Sequence, residues 1–167
     1  MRINLHQDDL PAGVDLGPVV AVETEAMGLH PHRDRLCLVQ LSAGDGECHL
    51  VQFRRAHYHA PNLSQLLGDP GVEKMFHFAR YDLALIRHYL HVLCRPVYCT
   101  KIASKLARTY TDRHGLKDLC QELLGIELSK QLQSSDWGAG ELSEAQLSYA
   151  AGDVLHCAIQ NLGEISV

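Results

Sequence analysis

At 167 residues the chain has the length of a single domain that buries its core without disulfide or metal staples. Hydrophobic residues at 46% and charged residues at 21% argue against a disordered protein. The net charge of -5 argues against one that coats long nucleic acid through bulk basicity.

Residues 18–23, 35–42 and 47–53 read as three strands rich in Val, Leu and Cys, parted by the turn segments GLHPHR and AGDG. PNLSQLLGDPG reads as a short helix stopped by Gly-Asp-Pro-Gly. VEKMFHF is predicted to be a strand leading into the helix ARYDLALIRHYL. There Tyr81, Leu85 and Tyr89, and Leu83, Ile86 and Leu90, recur at helical spacing. RPVYCT is a further strand, followed by helices over 101–110 and 115–124, the second ended by Gly125. A polar loop, ELSKQLQSSDWGAGEL, precedes a last helix from about 143, where Ser143 and Gln146 form a capping box.

No repeat, low-complexity tract or linker divides the chain, so one domain over 1–167 is expected. Hairpin-like strands followed by alternating helices and strands predict an α/β fold, a mixed β-sheet flanked by helices. No apolar run approaches membrane-spanning length. The six cysteines (Cys37, Cys48, Cys94, Cys99, Cys120, Cys157) form neither a Cys-x-x-Cys pair nor a zinc spacing. With no signal-peptide pattern in MRINLHQDDL, they read as reduced thiols of a cytoplasmic protein.

The chemistry lies in the acids. Side chains alternate along a strand, so Glu23 and Glu25 in VVAVETEAMGL share one side while Thr24 takes the other. Parallel carboxylates repel unless a cation lies between them, although an exposed strand end also explains such a pair. Asp82 falls in the first turn of a predicted helix, where the helix dipole by itself favours an acid. Tyr149 and Asp153 in YAAGD stand one turn apart on one helix face. Taken together, four carboxylates from three elements match the oxygen ligand sets of Mg²⁺ or Mn²⁺. Two such ions about 3.5–4 Å apart clamp the attacking and leaving oxygens of a phosphoryl displacement. Between Arg95 and Lys117 there are also six basic residues against one acid, Asp112. That run reads either as a solvated face or as a local phosphate-contacting surface.

This pattern resembles the DEDDy branch of the 3′–5′ exonucleases, named for four acids and a tyrosine, and within it the ribonuclease D type. The nanoRNase C subgroup, small bacterial exoribonucleases acting on very short RNA, is closer still. GLHPHRDRLCLVQLS, HFARYDLALI, CTKIASKLARTYTDRHGLKDLCQELLG, SKQLQSSDW and LSYAAGDV carry the resemblance, in order along essentially the whole chain. It implies a ribonuclease H-like exonuclease domain that uses two Mg²⁺ or Mn²⁺ ions to release nucleoside 5′-monophosphates from RNA 3′ ends. Glu23, Glu25, Asp82 and Asp153 are then the metal ligands, and Tyr149 orients the attacking water. Leu29 falls where related exonucleases insert an apolar wedge, though core packing explains it equally. His77 and Arg80 would line the site, and Lys101, Lys105, Arg108 and Arg113 would contact phosphate. Dinucleotides and short RNA are the implied substrates, with a ring-shaped homo-oligomer, an octamer, as the implied assembly.

Two features depart from that pattern. The family motif opens with Asp-x-Glu, and here Glu23 replaces the Asp, moving a carboxylate outward in a constellation that tolerates only about 0.5 Å. The chain also stops at Val167, where the family usually continues, so a C-terminal extension is expected to be missing. A catalytically weakened nucleic-acid-binding variant, and an exonuclease acting on longer RNA or DNA 3′ ends, remain open on sequence. The tripeptide at 32–34, HRD, matches a kinase loop but lacks its Asn and any preceding Gly-rich loop.

Overall fold

The computed structural model of the protein describes residues 1–54, 57–128, 132 and 134–162, with side chains in the last helix as far as Ala158. Part of the polar loop after Glu127 and the chain end at 163–167 lie outside the described residues. Six strands form one mixed sheet in the order β1-β4-β3-β2-β5-β6. They are β1 (Arg2–Gln7), β2 (Val19–Ala26), β3 (Leu36–Ser42), β4 (Glu47–Gln52), β5 (Glu73–Phe76) and β6 (Val97–Cys99). β2, β3 and β4 pair antiparallel, whereas β5 joins β2, β6 joins β5 and β1 joins β4 in parallel.

All seven residues of β3 are buried. Its near-continuous apolar run suits a central strand covered on both faces. On one face, Val20, Val22, Val39 and Leu41 pack against α1 (Pro61–Gly68) and α2 (Arg80–Tyr89) through Leu63, Leu67, Leu85 and Ile86. The opposite face buries Ala21, Cys48 and Met75 against Ala151, Val154 and Cys157 of α5 (Glu144–Leu162). No helix among the described residues is long and apolar enough to cross a membrane.

Capping fixes the helices that matter. Pro61 opens α1, and the backbone N–H groups of Asn62 and Leu63 donate to Asp9 at 3.0 and 2.9 Å. At α5 the expected capping box is present. Ser143 N–H donates to Gln146 Oε1 at 2.9 Å, and Gln146 N–H donates to Ser143 Oγ at 3.2 Å.

Several elements differ from expectation. β1 was not anticipated; its alternation is short and its partner β4 lies about forty-five residues away. α3 (Thr100–Ala107) stops before Arg108, whose side chain turns inward. The helix expected over 115–124 is α4 (Leu116–Leu119) running into a wide π-helical turn at Cys120–Leu124, which Gly125 closes at φ +68°.

Candidate active site

β2 runs past its predicted end, so both glutamates lie within the strand. Because Ala21 faces the α5 layer, alternation puts Glu23 and Glu25 on that same side and Thr24 on the α2 side. Thr24 uses its position to hold Asp82. Its backbone N–H and its hydroxyl both donate to Asp82 Oδ1, at 3.0 and 2.7 Å, and Asp82 is 6% exposed. From the other layer, α5 presents Tyr149 and Asp153 one turn apart, close enough to influence each other's proton affinity. The Trp137 ring lies 6.1 Å from that of Tyr149 and backs it from the interior.

These groups line one cleft of about 540 Å³, together with Leu29, His77 and Lys101. Leu29 is 83% exposed, so it is not a core residue. The loop bearing it is fixed by Tyr81, whose hydroxyl donates to the Gly28 carbonyl. Gly28 is required there, since a Cβ would collide with the Asp34 carboxylate. The His77 ring bonds Thr100 Oγ1 at 2.9 Å, and burial and Lys101 push its pKa down to about 4. It is therefore neutral near pH 7.

The other four predicted contacts lie elsewhere. Arg80 and Lys105 are exposed and line no part of the cleft. Arg113 is held to Asp118 at 2.7 Å beside the cleft. Arg108 is 7% exposed, and its guanidinium is committed to Glu122, to Ser104 Oγ at 2.9 Å and to the Arg113 carbonyl at 2.8 Å. It braces the segment between α3 and α4 and is not offered to phosphate.

The cleft also takes in residues that were not named among the substrate contacts. Phe78 is 52% exposed at φ +65°, with Lys101 Nζ 4.0 Å from its ring centroid. A bulky residue with positive φ is costly, and such strain gathers at functional sites. Lys117 also lines the cleft. The Trp137 ring supports the phenol. The only sequence signal for Phe78 was its place at the end of an apolar strand, which also describes a core residue.

Electrostatically the cleft is a nest of like charges. Burial, then Asp82, Asp153 and Glu25, hold the Glu23 pKa well above the carboxylate range. Burial and the neighbouring acids raise Glu25 to about 8, while burial raises Asp82 to about 7 and Asp153 to about 6. Burial and Asp153 also push the Tyr149 phenol upward. Among the described residues no three acid, His or Cys side chains are closed to ligand spacing. The donors nevertheless fit a hard divalent cation: all are carboxylate oxygens, and Glu23 Oε2 is buried with no hydrogen-bond partner.

Comparison with known proteins agrees with this architecture. A family model described as 3′–5′ exonuclease matches residues 8–159. The structure of Brucella melitensis NrnC bound to pGG is similar at 52% identity and TM-score 0.92, covering 98% of this chain and 79% of that one. The Mg²⁺-bound form of the same protein matches at 51% identity and TM-score 0.91, covering 97% and 79%. The ribonuclease D of Gluconacetobacter diazotrophicus is 37% identical over 139 residues, 83% of this chain and 35% of its own length. The chain thus spans about a third of the length of the curated relatives it matches. Its acids, its mixed sheet and these matches agree: the chain belongs to the 3′–5′ exonuclease family, in its ribonuclease D-type branch, alongside nanoRNase C.

Proposed function

We propose that the cleft hydrolyses the 3′-terminal phosphodiester of very short RNA, dinucleotides included, and releases nucleoside 5′-monophosphates. The observation that carries this reading is the meeting of Glu23, Glu25, Asp82, Asp153 and Tyr149 in one cleft with exposed Leu29 at its wall. Glu23, Glu25 and Asp153, with Asp82 behind them, would hold two Mg²⁺ or Mn²⁺ ions, which supply phosphate polarisation and water activation when bound. The chain's own contribution is placement. Tyr149 donates a hydrogen bond that aligns the attacking water oxygen, which forms a bond to phosphorus as the bond to the 3′ oxygen breaks. Leu29 and Phe78 offer apolar surface to the bases, and Lys101 and Lys117 meet the phosphate. The pGG and Mg²⁺ bound by Brucella NrnC support the substrate and cation assignments. Exposed Ile102 and Leu106, one turn apart on α3, supply an apolar surface suited to self-association into the expected ring.

Glu23 favours a second reading, a weakened enzyme that binds RNA but turns it over slowly, because its extra methylene moves the carboxylate outward in a constellation that tolerates only about 0.5 Å. Turnover of a 5′-labelled dinucleotide with Mg²⁺ or Mn²⁺ tests both. Hydrolysis by the wild type that Asp153→Asn reduces at least about 100-fold is expected. An active Asp153→Asn protein removes the acid assignment, and binding without hydrolysis at any metal level favours the second reading. Glu23→Asp should raise the rate if the longer side chain holds the cation badly. Competition between RNA and DNA ends of graded length decides the substrate.

A further inference from the structure

Four buried side-chain polar atoms lack a hydrogen-bond partner among the described residues: Glu23 Oε2, Gln40 Oε1, Gln40 Nε2 and Trp137 Nε1. Buried polar atoms are nearly always satisfied, because an orphan costs about 1–3 kcal/mol. These four are not scattered. Glu23 and Gln40 are directly opposite on antiparallel β2 and β3, so their side chains leave the sheet on one face with Cβ atoms about 4.5–5.5 Å apart. Gln40 also opposes Leu50 on β4, two residues along from Leu38. Trp137 packs on Leu38 and Leu50, from that same face. All three groups therefore lie under the acidic cleft, between the sheet and α5.

Their chemistry is complementary. The indole N–H is a donor without an acceptor, and Oε2 is an acceptor without a donor. The carboxamide of Gln40 carries one of each. It is 0% exposed in a mostly apolar strand, where an amide has no packing advantage over Leu or Met.

We propose that Trp137, Gln40 and Glu23 form one buried hydrogen-bond chain, Nε1–H to Oε1 and Nε2–H to Oε2, which closes when Glu23 takes up its cation. Gln40 and Trp137 are thus positioning residues for the first ligand. The chain gives the longer Glu23 side chain a fixed point that its extra methylene would otherwise deny it. It rests on the reading of Glu23 as a cation ligand, and it carries the cation's presence to the Tyr149 ring through Trp137, whose ring lies beside it. Groups behind metal ligands commonly hold their affinity within a tenfold to hundredfold range.

The experiment is a Mg²⁺ titration of the folded protein by calorimetry and by the emission of Trp137, the single tryptophan of the chain. The wild type is expected to bind Mg²⁺ with a change in indole emission. Gln40→Met, which keeps shape and loses both polar atoms, should weaken Kd about 10–100-fold and abolish the emission change. Trp137→Phe, read by calorimetry, should weaken Kd by a smaller factor. In a Glu23→Gln background, Gln40→Met should have no further effect on Kd, which a merely structural role in packing would not produce. Wild-type binding that Gln40→Met and Trp137→Phe both leave within twofold overturns this proposal alone. So does a Gln40→Met effect that persists in the Glu23→Gln background. A wild type that binds no Mg²⁺ overturns the cation reading together with it.

Discussion

Glu25 keeps its proton in the fold up to about pH 8, against an ordinary value of 4.5. Between those values the folded protein holds a proton that the unfolded chain has lost, so this group makes stability fall as pH rises across the window. Below 4.5 and above 8 it contributes no slope. Glu25→Gln removes the effect. Without added metal, the variant should match the wild type near pH 4 and exceed it by about 4 kcal/mol at pH 8, measured by urea unfolding. A constant difference across pH would remove the like-charge account of the cleft. Arg108 makes the opposite case, a charge that is satisfied. Arg108→Met would remove the donors to the Arg113 carbonyl and Ser104 Oγ, costing about 1–2 kcal/mol in the same assay. Lys105→Ala, at an exposed position, should stay within about 0.5 kcal/mol.

At the scale of elements, α5 decides whether Tyr149 and Asp153 meet the sheet, and its start is set by Ser143 and Gln146. Ser143→Ala should cost about 1 kcal/mol, read as a shift of the urea midpoint at unchanged slope. This helix start was legible because a capping box is local: four consecutive residues contain both partners. Glu23 and Glu25 were legible for a similar reason, since strand alternation alone puts them on one side. Arg108 was not. Whether a basic side chain stays in solvent or turns inward depends on Glu122, which another element brings to it. β1 was missed because its strand identity depends on a parallel neighbour far along the chain, not on its own short alternation. Phe78 was hidden because the backbone twist that exposes it leaves no mark on the apolar pattern.

At the scale of the whole molecule, an acidic protein that admits its substrate through a cleft containing few cations should depend weakly on salt. Lys101 and Lys117 line the cleft, and the net charge is -5. One or two phosphate contacts predict that the logarithm of the dinucleotide affinity falls with the logarithm of salt at a slope of about -1. KM measured between about 50 and 200 mM KCl at fixed Mg²⁺ checks this. A slope steeper than about -3 would mean that a larger basic surface, beyond this cleft, takes hold of the RNA.

The grip of Thr24 on Asp82 has a consequence for how such a site can come apart. Glu23 and Glu25 belong to β2, and Asp82, though carried by α2, is tied to the same strand by two hydrogen bonds to one oxygen. Three of the four acids thus share one frame of reference, and thermal sway of α2 cannot separate them without breaking that tie. Only Asp153, with Tyr149 beside it, belongs to another body. The constellation has a single loose joint, the seam between the sheet and α5, and its accuracy is the accuracy of that one contact.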